Sequence, residues 1–170
     1  MPETHAFSTI PTKILVPIDF SPSSHAALES AADLAQHFGA AIFLVHVIPM
    51  FPATSMPDFI PEASFLEESR KAADKRFAAA IADLTAKGIK VGSSIEVGDD
   101  VASAVLEVAE RESADMVVIS THGLTGWHPL VFGSIAEKVM KLVSCPVLLL
   151  RTPKPASSAK VASGRLMEWW

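Results

Sequence analysis

The chain has 170 residues, a hydrophobic content of 49% and a formal net charge of −5 at pH 7, which suits one well-buried domain and does not require a second. The excess of acidic residues argues against general binding to nucleic acid or to an anionic membrane, because both need clustered Lys and Arg. The single cysteine, Cys145, excludes an intrachain disulfide and a metal site built from several cysteines.

Residues 1–11 are predicted to form an N-terminal extension. Residues 1–9 contain no basic region followed by an apolar core, which is the pattern of a secretion signal. The longest apolar runs, at 40–45 and 146–150, are far shorter than the roughly 20 residues that cross a bilayer. We therefore expect a cytoplasmic protein without a membrane segment.

The first strand is predicted at residues 14–18, an apolar run. Ser21 and Pro22 then predict a helix start, with serine as the N-cap and proline at the first helical position. The expected buried stripe of this helix is Ala27, Ala31, Leu34 and Phe38. Gly39 suits the left-handed residue that ends a helix, and a second strand follows at 41–47.

Residues 49–61 contain four prolines and no periodicity, which predicts a loop. A helix follows, and its apolar stripe is Leu66, Ala73, Phe77, Ala80, Ile81 and Leu84. Gly88 ends it, and a third strand is predicted at 89–97.

Asp99 and Asp100 predict the N-terminal cap of the next helix, where negative charge suits the helix dipole. A fourth strand is predicted at 115–120, a helix from Ser134, and a fifth strand at 146–150. One face of the helix from Ser134 is expected to carry Ile135, Val139, Leu142 and Val143. Residues 152–170 are predicted to form a flexible C-terminal tail, since 152–164 are rich in Pro, Ser, Ala and Lys.

Strands that alternate with helices and are apolar on both faces indicate an α/β fold with a parallel sheet covered on both sides. In such sheets ligands bind beyond the carboxyl ends of the strands, where the winding direction reverses. If the first and fourth strands flank that point, Asp19 and the loop from Ser120 line one crevice.

The segment from Ser120 to Ser134 joins an apolar strand to a helix through a loop that contains Gly123, Gly126 and Gly133. The N-terminus of a helix exposes unsatisfied N–H groups and the positive pole of the dipole, and glycines let backbone approach a ligand closely. The segment therefore predicts a phosphate site, and with it a bound nucleotide. Nine residues lie between Gly123 and Gly133, and Ser134 follows Gly133 directly. Ser120 lies three residues before Gly123.

Two further segments are informative: residues 14–21 read Ile-Leu-Val-Pro-Ile-Asp-Phe-Ser, and residues 44–47 read Leu-Val-His-Val. Together with the glycine spacing they make residues 12–151 resemble the universal stress protein family, in its nucleotide-binding branch. There are two departures: Ser120 stands where the family motif has its first glycine, and Leu124 stands where many relatives have a basic residue.

The resemblance implies a doubly wound, five-stranded parallel sheet in the order 3-2-1-4-5 with helices on both faces, of the adenine nucleotide alpha hydrolase-like type. It also implies a homodimer formed through the strand at 146–151, and ATP or another adenine nucleotide as the ligand. The residues implied at the adenine and ribose end are Pro17, Asp19 and Val47. Those implied at the phosphates are Gly123, Gly133 and Ser134. Neighbouring residues complete the candidate binding set: Ile18, Ser120, Thr121, His122, Gly126 and Ile135.

Residues 120–134 contain no Lys or Arg, so the phosphates would depend on backbone N–H groups and on a divalent cation. Mg²⁺ binds mainly through phosphates, waters and one or two carboxylates, and Asp19 is the nearby carboxylate.

Structural interpretations of the same residues remain open at this point. Ser134 and Glu137 also fit a capping box, and Asp19 can order its own loop. Val47 fits a core position, Gly126 a turn, and His122 a hydrogen bond to loop backbone.

The function favoured by these features is an ATP-binding stress-response regulator that changes its interactions with unidentified protein partners through residues 120–133. One alternative is slow ATP hydrolysis or phosphate transfer assisted by His122 or Asp19, although the chain has no P-loop motif. Another is a ligand-free dimeric interaction protein whose tail ends in Trp169 and Trp170.

Overall fold

Five strands and four helices alternate along the chain in the computed structural model, which describes residues 10–50, 63–121 and 133–151. The strands are β1 (Lys13–Pro17), β2 (Ala41–Pro49), β3 (Val91–Gly98), β4 (Met116–Ser120) and β5 (Val147–Leu150). The helices are α1 (Pro22–Phe38), α2 (Ala63–Ala86), α3 (Val101–Arg111) and α4 (Ser134–Leu142). The described part of the chain has no helix that is long and apolar enough to cross a membrane.

The strands form one parallel sheet in the order β3-β2-β1-β4-β5. Ile14 in the central strand β1 pairs with Ile42 of β2 on one side and with Met116 of β4 on the other. The predicted doubly wound sheet and its strand order are therefore confirmed. The winding direction reverses between β1 and β4, which is where open α/β sheets bind ligands.

The core has two layers because successive residues of a strand point to opposite faces of the sheet. Ile14 and Val16 of β1 pack with α1 and α2, whereas Leu15 between them packs with α3 and α4. All three side chains are fully buried. The helices therefore cover both faces, as predicted.

The predicted ends of α1 and α3 are confirmed. Ser21 is the N-cap of α1, and its Oγ accepts a hydrogen bond from the N–H of Ser24 at 3.1 Å. Gly39 ends the helix with φ of 71°. Asp100 is the N-cap of α3 and accepts from the N–H groups of Ala102 and Ser103, so the cap is the second of the two aspartates.

Two predicted stripes are partly wrong. Phe38, the last residue of α1, is 40% exposed, whereas Ala31 and Ala35 on the same helix are buried. In α4 the buried residues are Ala136 and Val139, three positions apart, whereas Ile135 and Leu142 are 40% and 60% exposed. Val143 has an extended backbone and follows the helix.

Four predicted segments fall wholly or mainly outside the described residues. They are the N-terminal extension up to residue 9, the proline-rich loop from residue 51 onward, the middle of the glycine loop at 122–132, and the tail at 152–170.

Candidate functional site

A pocket of about 300 Å³ lies at the carboxyl ends of β1, β2 and β4. It is at the lower end of the roughly 300–1,000 Å³ that is usual for small-molecule sites. The predicted binding residues that line it are Pro17, Ile18, Asp19, Val47, Ser120, Thr121, Gly133, Ser134 and Ile135. His122, Gly123 and Gly126 lie outside the described residues. The fold therefore brings the end of β1, the end of β2 and the two ends of the glycine loop, which are distant in the sequence, to one crevice.

The β1 side of the pocket is held in place by two sets of hydrogen bonds. The N–H of Ile18 donates to the carbonyl of Val45 at 2.8 Å, which extends the sheet past the end of β1. The Oδ1 atom of Asp19 accepts from the N–H of Ser21 at 3.0 Å and from its Oγ at 2.5 Å. Asp19 therefore orders the turn into α1, as the structural interpretation expected, while it also lines the pocket.

His46 and Val47 of β2 form the neighbouring wall. The Nδ1 atom of His46 lies 2.7 Å from the carbonyl oxygen of Ile18. Burial is the main cause that lowers the pKa of His46, so the ring brings no positive charge to the pocket at neutral pH. Val47 is 7% exposed and packs in the core, so the interpretation of Val47 as a core residue is confirmed. Val47 also lines the pocket, and its contact with a nucleotide stays a prediction.

The opposite wall is formed where β4 ends and α4 begins. The N–H of Thr121 donates to the carbonyl of Leu150 at 2.9 Å, and the N–H of Gly133 donates to the carbonyl of Thr121 at 2.9 Å. These bonds bring both ends of the glycine loop to the pocket. Ser120 has a negative φ, since the only described non-glycine residues with positive φ are Phe20 and Ser113. A serine in place of the family's glycine therefore costs no backbone strain here.

The N-cap of α4 is Gly133, and no side chain caps this helix. The predicted capping box of Ser134 and Glu137 is wrong: Ser134 is the first helical residue, and Glu137 accepts from Lys141 Nζ at 2.6 Å on the surface. The first backbone bond of α4 runs from the N–H of Glu137 to the carbonyl of Gly133. The N–H groups of residues 134–136 come before this first bond, so they have no acceptor within the helix. They lie at the positive end of the helix dipole.

The pocket has little positive charge of its own. Among the described residues that line it there is no Lys or Arg, and Asp19 is the single carboxylate. The nearby Lys138 of α4 is bound to the Asp100 carboxylate and, at 3.2 Å, to Ser103 Oγ. Together with hydrogen bonds from Ser103, the Lys138 ammonium lowers the pKa of Asp100 to about 2. This cluster joins the start of α3 to α4 rather than serving a ligand.

Several lining residues were missed by sequence reasoning. Val101 and Val105 of α3 close the floor, and Ser24 of α1 and His46 of β2 complete the walls. Val101 and Val105 have the i, i+4 spacing of one helix face, and nothing in that spacing distinguishes a face that packs on the sheet from one that also borders a cavity. His46 carried a usable signal, since it lies inside the Leu-Val-His-Val segment that ends at Val47.

Several known proteins are similar to this chain in sequence, in fold or in both. A model described as the universal stress protein family matches residues 11–151. Universal stress protein MJ0531 of Methanocaldococcus jannaschii is 31% identical over 147 residues, which is 84% of this chain and 83% of that protein. The solved structure of the hypothetical protein MJ0577 has a TM-score of 0.75 at 27% identity, and the match covers 85% of this chain and 99% of the other. A universal stress protein from Archaeoglobus fulgidus in complex with dAMP shares the fold, with a TM-score of 0.59 at 20% identity over 82% of this chain and 98% of the other.

Proposed function

This chain belongs to the universal stress protein family, and we propose that it binds an adenine nucleotide, ATP, in the pocket between β1 and β4. The observation that carries the proposal is that Asp19, Val47, Thr121 and Gly133, from four separate segments, line one pocket that ends at an uncapped helix N-terminus. That arrangement offers an apolar side for a base and backbone N–H groups for phosphates. A relative of the same fold is solved in complex with dAMP, which supports the adenine specificity.

The proposed ligand includes Mg²⁺. A triphosphate carries roughly three to four negative charges at neutral pH, while exposed helix N-termini contribute only about 0.3–1 kcal/mol to binding an anion. The described walls supply no Lys or Arg to balance the rest. Asp19 lies at the wall where it can share a cation with the phosphates, which is how Mg²⁺ is usually held.

Binding is proposed to regulate interactions rather than to drive a reaction. Thr121 and Gly133, which flank residues 122–132, line the pocket. Nucleotide occupancy is proposed to act through residues 120–133 and to change what protein partners meet there. The protein is proposed to act in the cytoplasm as a homodimer paired through residues 146–151. The last strand supports this, because β5 is a sheet edge and Leu148 on it is 36% exposed.

The direct test is extraction of the purified protein followed by mass analysis of the released small molecules, together with calorimetric titration of the emptied protein with Mg-ATP. Adenine nucleotide at near-stoichiometric amount, or saturable binding of Mg-ATP in preference to Mg-GTP, is expected. An empty protein that does not bind added Mg-ATP contradicts the proposal.

A matched pair of variants on α4 locates the site. Ile135 and Met140 are 40% and 41% exposed, but only Ile135 lines the pocket. Ile135→Glu puts a negative charge beside the proposed phosphates and is expected to weaken ATP about tenfold. Met140→Glu adds the same charge on the same helix and is expected to leave ATP affinity unchanged. Equal effects of the two variants contradict this placement of the phosphates.

A further inference from the structure

A second pocket, of about 230 Å³, lies between α1, β2 and α2 on the face of the sheet opposite to α3 and α4. Its walls are mainly apolar, and the largest side chains among them are Ile18, Phe20, Leu28, Leu44 and Phe77. Ile18 and Ser24 border both this pocket and the proposed nucleotide pocket. The two pockets are therefore neighbours separated by the turn that follows β1.

The volume and lining limit what this pocket can take. A dry apolar cavity of about 150 Å³ accommodates benzene, so 230 Å³ suits one aromatic ring with a short substituent. Burial of such a ring against aliphatic and aromatic walls is favourable in proportion to the apolar area removed from water.

The rim of the pocket carries a positive charge. The Arg76 guanidinium lies 5.1 Å from the centroid of the Phe20 ring. Within the part of the chain that the structure describes, Arg76 forms no ion pair, and its neighbours one turn away on α2 are Ala72, Ala73, Ala79 and Ala80. An anionic group at the rim would meet this guanidinium without displacing a carboxylate of the described residues.

Phe20 is held in an unusual backbone conformation that keeps its ring in this wall. Its φ is 62°, which is uncommon for a bulky residue. The ring packs against His46 and Phe77, with centroid separations of 4.7 and 5.6 Å. The wall is therefore formed by contacts that exist before any ligand arrives.

We propose that this second pocket binds a small aromatic monocarboxylate, with the ring among Phe20, Leu28 and Phe77 and the carboxylate beside Arg76. The ligand class follows from the volume, the apolar walls and the guanidinium at the rim, which forms no ion pair with any described residue. The site is distinct from the nucleotide pocket and does not depend on nucleotide binding.

The test uses the full chain without nucleotide, and follows its methyl groups by ¹H–¹³C NMR during titration with phenylacetate and with phenylacetamide. The two compounds have about ten heavy atoms each and nearly the same shape, but only phenylacetate is charged. Phenylacetate is expected to shift the Leu28 and Leu44 methyl signals and to saturate with a Kd on the order of 1 mM. Phenylacetamide is expected to bind about fivefold more weakly, because it cannot form the ion pair with Arg76. A difference of about fivefold in Kd is at the upper end of what an exposed ion pair contributes.

Two substitutions on α2 separate the charge effect from a general effect on the helix. Arg76→Gln is expected to reduce phenylacetate to the affinity of phenylacetamide, while Arg76→Lys keeps most of the difference. Lys75→Gln removes the same charge at the adjacent exposed position, which does not line the pocket, and is expected to change nothing. The proposal is overturned if neither compound gives saturable shifts, if both bind the parent protein equally, or if the shifts appear at Val101 and Val105 of the nucleotide pocket instead.

Discussion

Gly133 lies so close to Thr121 that a side chain does not fit between them. The N–H of Gly133 donates to the carbonyl of Thr121 at 2.9 Å, and a Cβ atom added to Gly133 would lie 2.9 Å from the same oxygen. The φ of Gly133 is −58°, which any residue adopts, so the glycine is required by this close approach and not by its backbone angle.

Gly133→Ala is therefore expected to push the start of α4 away from the end of β4. The expected cost is about 1–3 kcal/mol in the free energy of unfolding, measured by urea denaturation, together with weaker ATP binding. Gly98→Ala is the control, since a Cβ there has open space and the φ is not positive. Equal loss of stability in both variants would show that the contact with Thr121 is not the cause.

Gly92 and Phe43 form a second close pair, opposite each other on β3 and β2. A Cβ on Gly92 would lie 2.7 Å from the Phe43 ring, so Gly92→Ala is expected to cost about 1 kcal/mol while the ring rotates away. In the Phe43→Leu background the same substitution is expected to cost less. A double-mutant cycle by urea denaturation measures the difference, and strictly additive effects refute the explanation.

Chelation of Mg²⁺ is expected to weaken ATP binding about tenfold or more, because the described pocket walls provide no Lys or Arg to replace it. The measurement is calorimetric titration with and without chelator. Adenosine has no phosphates, so its affinity should not respond to the chelator. ATP affinity that is unchanged on chelation counts against a cation in the site.

The Asp100 carboxylate is expected to titrate at about pH 2, below its ordinary pKa of 3.8, because it binds the Lys138 ammonium and accepts from Ser103. A lowered pKa in the folded state means that this carboxylate stabilises the fold above its ordinary pKa, and that the contribution is lost as the pH falls through the lower value. The ¹³C signal of the carboxyl group reports the titration directly. In Lys138→Met the midpoint should move up toward the ordinary value, and an unmoved midpoint removes Lys138 as the main cause.

Leu148→Arg is expected to convert a homodimer into a monomer in analytical ultracentrifugation, because it places a charge on the exposed edge strand β5. Phe38→Arg changes a similarly exposed side chain, 40% against 36%, at the end of α1 and should leave the dimer intact. A parent protein that sediments as a monomer contradicts pairing through β5.

Much of the architecture could be predicted from local pattern. The alternation of apolar strands with helices indicated a parallel sheet, and Ser21, Gly39 and Asp100 marked helix ends that the structure confirms. Such signals are readable because capping depends on hydrogen bonds within a few residues of the helix end.

Apart from the buried position expected of Phe38 in α1, the predictions that failed concern α4. Ser134 and Glu137 match a capping box by spacing, but the contact between Gly133 and Thr121 starts the helix one residue too early for that cap. Ile135, Val139 and Leu142 lie on one helical face by periodicity, yet of these only Val139 is buried, and Ala136 is the other buried residue of the helix. A helix of nine residues has no long stripe to set its orientation, so its tertiary neighbours set it.

The sequence alone determined the fold class, the resemblance to one family and most of the residues at the pocket. These features could be predicted because strand period, helix caps and motif spacing are local properties of the chain. Tertiary structure decided why Gly133 is a glycine, how α4 is oriented, and that Ile18 and Ser24 border a second pocket beside Arg76 and Phe77. These features depend on distances between elements that are far apart in the chain, and such distances are set by packing and not by any local pattern.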